Sequence, residues 1–236
     1  MKKVLIPLDG SRLSDAVIPH VRRLLFREAT AWKVHLLSVI DRKETRMEAR
    51  AEARAHLAAC ERLLRPESFL VRSHVVVGDP AEEILEHAVN EEADLVAIAT
   101  HGRTGLRRWV RGSVAERVLR GCSTSLLLVN PHGLLLENDD VRYRRILVPT
   151  GGPAEVVTRL SAASGAEIVP VEPGDDAAAA TLEAARACEP DLIAITASPR
   201  TALSPWPLER TVERITRAAP CPVLLLRGAL LGAPRA

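Results

Sequence analysis

Two segments of this chain spell nearly the same pattern, and any fold must accommodate both copies. Lys3-Val-Leu-Ile-Pro-Leu-Asp-Gly10 aligns with Arg145-Ile-Leu-Val-Pro-Thr-Gly-Gly152 at an offset of 142 residues. Ala93-Asp-Leu-Val-Ala-Ile-Ala99 aligns with Pro190-Asp-Leu-Ile-Ala-Ile-Thr196 at an offset of 97. The second register runs on without a gap, matching Trp109 with Trp206, Glu116-Arg117 with Glu213-Arg214, and Leu127-Leu128 with Leu224-Leu225. A match of this length means one supersecondary plan used twice. The offsets differ by 45, so the second copy has lost about a helix and a strand between its first strand and Asp191. The polar stretch Asn138-Asp139-Asp140, after Pro131-His132-Gly133, is the expected boundary, giving domains over 1–138 and 141–229.

Within the first copy, short apolar runs alternate with helical stretches. Val4 to Leu8, Val34 to Ile40, Phe69 to Val77, Asp94 to Thr100 and Ser125 to Val129 read as strands. Ser11 to Phe26 reads as a helix with Ser14 as its N-cap and with Pro19 either kinking it or lying near its first turn, and Thr45 to Leu64 as a long helix with a charged face. Asp79 caps the next, with Pro80 in the first turn and Glu82 completing a capping box; Ser113 to Gly121 forms the last. Strands apolar on both faces and separated by helices predict a doubly wound α/β fold with a parallel sheet. Such sheets take ligands at the carboxyl ends of their strands, near the topological switch point. The residues after strands one and four therefore carry the most functional weight.

Composition narrows the partners. Lys and Arg number 32 against 30 Asp and Glu, a net charge of +2, which argues against nucleic acid. No apolar run is long enough to span a bilayer, so a cytoplasmic protein with no membrane partner is expected. Cys60, Cys122, Cys188 and Cys221 form no Cys-x-x-Cys pair and read as buried thiols. The seven histidines lack a His-Glu-x-x-His arrangement, and no metal site is expected.

After strand four comes Thr100-His101-Gly102-Arg103-Thr104-Gly105, and nine residues separate Gly102 from Gly112-Ser113, which opens a helix. A glycine loop ending on a helix N-terminus presents backbone N–H groups and a favourable dipole to a phosphate. Ser113 adds a hydroxyl, and Arg103, Arg107, Arg108 and Arg111 add positive charge. The same residues also make a plain turn, a helix cap and a solvated surface. Asp9, at the end of strand one, has the chemistry to accept from ribose hydroxyls or a base amine, and equally that of a helix cap with Gly10 and Ser11.

Val4-Leu-Ile-Pro-Leu-Asp9-Gly-Ser11, together with Ala99-x-x-Gly102-x9-Gly112-Ser113 and Val114-Ala-Glu-Arg-Val-Leu119, resembles the universal stress protein family. The resemblance covers residues 1–131 in full and about 141–229 as a degenerate second copy. It implies a five-stranded sheet in the order 3-2-1-4-5, of the adenine nucleotide alpha hydrolase-like type, followed by a shortened copy. It also implies ATP, with or without Mg2+, as ligand, with Pro7, Leu8, Asp9, Val39, Ile98 and Ala99 around the adenosine. Gly102, Arg103, Gly112, Ser113, Val114 and Ala115 would then surround the phosphates. Family dimers pair through the fifth strand; here the two fifth strands are expected to pair within one chain as a pseudo-dimer, beside a homodimer. Ala99 departs from the glycine of the ATP-binding branch, which leaves a non-nucleotide scaffold as the alternative. In the second copy Gly151, Thr196, Pro199, Glu209 and Arg210 replace Asp9, Ala99, Gly102, Gly112 and Ser113. Proline removes a donor and glutamate repels phosphate, so this copy is not expected to bind ATP.

Other nucleotide folds fail on their motifs. Asp9-Gly10-Ser11 does not supply a dinucleotide-binding Gly-x-Gly-x-x-Gly, and no lysine lies beyond Lys43 to complete a P-loop or a receiver domain. Thr150-Gly151-Gly152 faintly matches the Ser-Gly-Gly loop of ATP pyrophosphatases, but the rest of that motif is missing. No nucleophile, base and oxyanion set can be assembled, so a binding or signalling module with at most slow ATP hydrolysis is expected.

Overall fold

The computed structural model describes residues 1–25, 32–44, 46–64, 69–100, 113–130, 143–149, 165–172, 174–197 and 208–227. The strands are β1 (Lys2–Pro7), β2 (Trp32–Asp41), β3 (Leu70–Gly78), β4 (Leu95–Ala99), β5 (Ser125–Val129), β6 (Arg145–Pro149), β7 (Glu167–Val171), β8 (Leu192–Ala197) and β9 (Val223–Arg227). The helices are α1 (Arg12–Asp15), α2 (Val17–Leu25), α3 (Ala49–Leu64), α4 (Pro80–Asn90), α5 (Val114–Gly121), α6 (Ala177–Cys188) and α7 (Leu208–Ala218). All nine strands form one sheet in the order β3-β2-β1-β4-β5-β9-β8-β6-β7. Among the described residues no helix is long and apolar enough to cross a membrane.

The first five strands are parallel and run 3-2-1-4-5. Alternation along each strand divides the core into two layers. Val4, Ile6 and Leu8 pack with Val17, Val21, Leu57 and Cys60 of α2 and α3 on one face. Leu5, Val96 and Ile98 pack with Ile84, Ala115 and Val118 of α4 and α5 on the other.

Two helix starts differ from the sequence expectation. Ser11 caps α1, its Oγ accepting the Ser14 N–H at 3.1 Å, while the Ser14 hydroxyl donates to the Ser11 carbonyl at 2.9 Å. Ser14 is therefore inside the turn that it was expected to open. The helix is interrupted at Ala16 and resumes as α2, whose first turn holds Pro19. The start of α3 also moves, from Thr45 to Ala49; ahead of it Arg46 lies 3.2 Å from Glu44 and 3.1 Å from Glu52.

The second copy repeats several of the bonds that support the first. The Lys3 N–H donates to Asp94 at 2.8 Å, and the Arg145 N–H to Asp191 at 2.9 Å. Asp79 caps α4 through the N–H groups of Ala81 and Glu82 and pairs with Arg117 at 2.8 Å. Asp176 caps α6 through Ala178 and Ala179 and pairs with Arg214 at 2.9 Å. Glu92 and Glu189, both at positive φ (49° and 46°), follow the two capped helices. Between β7 and α6 the second copy has no counterpart of α3 and β3, which accounts for most of the missing length. Among the described residues the sheet consequently ends on β7, where Pro170 lies opposite Val148 of β6.

The copies join where β5 and β9 pair antiparallel, Leu126 with Leu225, Leu127 with Leu224 and Leu128 with Val223. Leu127 and Leu224 are equivalent positions, so a local two-fold axis passes between them. The residues following the leucine runs then reach across the axis. The buried Asn130 amide donates to the carbonyls of Thr216 (3.3 Å), Ala219 (2.9 Å) and Cys221 (3.3 Å) at the end of α7. Arg227, its equivalent, donates to Leu119 at 3.0 Å and to Cys122 at the end of α5. Each copy thereby satisfies helix-end carbonyls of the other. Asn130→Ala is expected to lower stability by about 1–3 kcal/mol, since it removes a buried donor shared by three carbonyls; urea denaturation measures it, and an unchanged midpoint would contradict that role.

His35 lies buried on β2 with neither ring nitrogen hydrogen-bonded, facing Glu91, Lys33, His74 and Lys3. Burial, against the attraction of Glu91, lowers its pKa from 6.5 to about 4. Protons then bind the unfolded chain before the folded one, so this group's contribution is lost as pH falls from about 6.5 towards 4. The urea midpoint of the wild type is expected to fall more steeply over that window than that of His35→Leu. Parallel decline of the two proteins would show that His35 is not the group responsible.

Candidate functional site

β1 lies between β2 and β4, so the direction of winding changes between β1 and β4, and the open crevice of the fold starts at their carboxyl ends. Pro7 closes β1, and Leu8 follows it buried, its N–H donating to the Leu37 carbonyl at 2.8 Å. The chain then turns through Gly10 at φ 80°, a conformation that favours glycine. Asp9, half-buried, accepts the Ser11 N–H on Oδ1 at 2.9 Å, and its own N–H donates to Ser14 Oγ at 3.3 Å. Asp9 therefore braces the loop rather than capping α1, and its carboxylate is held at the end of the strand.

Ile98 and Ala99 close β4 on opposite faces. Ile98 shares its layer with Ala115 and, at its margin, Val39 and Val114; Ala99 shares the other with Leu8 and Val129. Ser113 caps α5, Oγ accepting the Glu116 N–H at 3.2 Å. Arg117, one turn on, is committed to Asp79 and also lies 3.5 Å from Glu82. That guanidinium, with two backbone N–H groups, holds the Asp79 carboxyl below its ordinary range. Pro7, Leu8, Asp9, Val39, Ile98, Ala99, Ser113, Val114 and Ala115 thus belong to strand ends, the loop after β1 and the start of α5. Gly102, Arg103 and Gly112 lie outside the described residues, as do Gly151, Pro199, the Trp109–Trp206 pair and the Asn138–Asp140 boundary. In the second copy α7 begins at Leu208, three residues earlier in register than α5, so Glu209 and Arg210 fall inside the helix.

Two further groups of titratable side chains had no motif to announce them. On α1 and α3, Asp15 Oδ1 is 2.8 Å from His56 Nε2, and Cys60 Sγ is 3.5 Å from that same nitrogen. A nucleophilic relay needs thiol and carboxylate on different ring nitrogens. Burial, aided by Asp15, also pushes the Cys60 thiol up to about 12, so it is no nucleophile. On β2, β3 and the end of α4, His35 and His74 stack in parallel with ring centres 5.5 Å apart, and Glu91 lies 3.5 Å from His35. The sheet thus brings together two histidines that stand far apart in the sequence. Cys60, Cys122 and Cys221 are buried free thiols as expected, while Cys188 is only half-buried.

The universal stress protein family model matches residues 1–130 and 153–227, well over half the chain. Universal stress protein MJ0577 of Methanocaldococcus jannaschii is 28% identical over 154 residues, covering 54% of this chain and 94% of the relative. Universal stress protein MJ0531 of the same organism is 28% identical over 138 residues, covering 54% and 81%. The solved structure of MJ0577 matches 55% of this chain and 95% of its own at 32% identity, with a TM-score of 0.50. A universal stress protein from Archaeoglobus fulgidus DSM 4304 matches 95% of this chain and 98% of its own, with a TM-score of 0.71 at 18% identity, a likeness of fold alone. With the 3-2-1-4-5 half-sheet, the shortened second copy and a family match over both, the chain belongs to the universal stress protein family.

Proposed function

We propose that the first copy, over 1–138, binds ATP, with Mg2+ on its phosphates, and that the chain acts in the cytoplasm as a stress-response binding or signalling module. The observation that supports this is that β1 and β4 are neighbours, with Asp9 braced after β1, the small Ala99 ending β4 and Ser113 opening the helix that follows. Asp9 would accept from the ribose hydroxyls, with Pro7, Leu8, Val39 and Ile98 around the adenosine. Ser113 Oγ already takes the Glu116 N–H, so the N–H groups of Val114 and Ala115 are those that the phosphates would meet, beside Gly102, Arg103 and Gly112. The nucleotide supplies charge and a recognisable face; these residues hold and orient it, and nothing in the reading requires turnover. The second copy, over 141–229, is not a nucleotide site in this reading, because α7 runs through the position where α5 starts and carries Glu209 and Arg210 there.

The pairing of β5 with β9 supports a pseudo-dimer within one chain. Since the two fifth strands engage each other, a homodimer would use a different surface. Titration calorimetry of ATP into the wild type, Gly112→Glu and Ser113→Arg tests the nucleotide reading. The wild type is expected to bind, and each variant to lose at least about tenfold in affinity, about 1.4 kcal/mol. Equal weak binding by all three would favour a non-nucleotide scaffold, for which the Ala99 methyl packed into the core layer of Leu8 and Val129 is the supporting observation.

A further inference from the structure

We infer that Asp15, His56 and Cys60 form a binding site for a thiophilic divalent cation of the zinc class, linked to the Asp9 loop through the Ser14 hydroxyl. His56 and Cys60 stand one turn apart on one face of α3, and Asp15 ends α1 against them. Carboxylate, imidazole and thiol present one donor atom each to a common point: Asp15 Oδ1 to His56 Nε2 is 2.8 Å, His56 Nε2 to Cys60 Sγ 3.5 Å, and Cys60 Sγ to Asp15 Oδ1 3.9 Å. A tetrahedral zinc ion, with bonds of about 2.0–2.1 Å to nitrogen and oxygen and about 2.3 Å to sulfur, spaces its ligand atoms by about 3.3–3.6 Å. Two of the three separations are within a few tenths of an ångström of that range. The third is a hydrogen bond and would open by about 0.5 Å once metal replaces the shared proton.

Convergence on a single nitrogen distinguishes this set from a hydrogen-bonded relay. As a hydrogen-bonded set, Asp15 Oδ1 accepts from both His56 Nε2–H and the Cys60 thiol, whereas one cation there replaces those protons and engages all three lone pairs. On binding, the Cys60 proton leaves to solvent and the His56 ring proton moves to Nδ1, so that Nε2 becomes a ligand. Thiolate, imidazole and carboxylate together select zinc-like ions and are poor ligands for Mg2+. Cys60 is buried, while the Asp15 and His56 side chains are 35% and 21% exposed, so the fourth position faces solvent and would take water or a small exogenous ligand.

Titration of the untagged, reduced chain with Co2+ tests the site. One equivalent is expected to produce a near-ultraviolet thiolate-to-cobalt charge-transfer band with visible tetrahedral absorption, both removed by Zn2+. The band should vanish in Cys60→Ser, weaken in His56→Ala and Asp15→Ala, and persist in Cys188→Ser. The thiolate band separates this site from His35, His74 and Glu91, which carry no sulfur. No band in the wild type overturns the proposal, and that titration needs no variant to fold. A band that survives Cys60→Ser, or that neither His56→Ala nor Asp15→Ala changes, overturns it as well; Asp15→Ala, at a partly exposed helix end, guards against loss of fold in the core variant.

Discussion

The antiparallel contact between β5 and β9 is the constraint on which the rest of the molecule depends. A run of Ser-Leu-Leu-Leu-Val is buried on both faces and would, unpaired, leave an apolar edge with open hydrogen-bonding groups. Its equivalent in the second copy covers it, and the pairing about Leu127 and Leu224 puts both helix layers on matching sides of one sheet. Each fully buried leucine contributes about 1.5–3 kcal/mol, so this seam is a substantial part of the hydrophobic stabilisation. Asn130 and Arg227 then act at the same place with different chemistry: a neutral amide and a guanidinium both donate to carbonyls at the end of the other copy's helix. The bonds are reciprocal although the residues are not alike.

That seam also explains why the copies can differ so much elsewhere. The second copy retains what supports the sheet: the Arg145–Asp191 link, the Asp176 cap with Arg214, the turn at Glu189 and the leucine-rich last strand. It has dropped a helix and a strand far from the seam and altered the start of its last helix. These supporting bonds persist in both copies, whereas among the described residues the serine-capped start of α5 has no equivalent at α7.

Much of this was legible because it is local or periodic. β5 falls on Ser125–Val129 as the apolar run predicts, Asp79 caps α4 as its neighbours Pro80 and Glu82 predict, and the missing helix and strand follow from the two repeat offsets. The error at α1 has a local origin, since Ser11 and Ser14 both suit a cap and only the bracing of the loop by Asp9 decides between them. Side-chain clusters were illegible for a different reason. Asp15 and His56 are 41 positions apart and meet only through the docking of α1 on α3. His35 and His74 share a face only in the register that pairs His35 with Arg72 and Leu37 with His74. Of the proposed nucleotide site, the strand ends and the capped helix were readable from pattern, but Asp9 as a brace needed geometry.

Shortening the second copy has an effect at the far rim. With no counterpart of β3 beyond it, β7 becomes a terminal strand, and its Pro170 contributes no amide hydrogen to any ladder. An incoming strand would find an interrupted template there, so the deletion that trimmed the sheet leaves a border ill-suited to recruiting neighbours, and growth of the sheet from chain to chain is discouraged on that side.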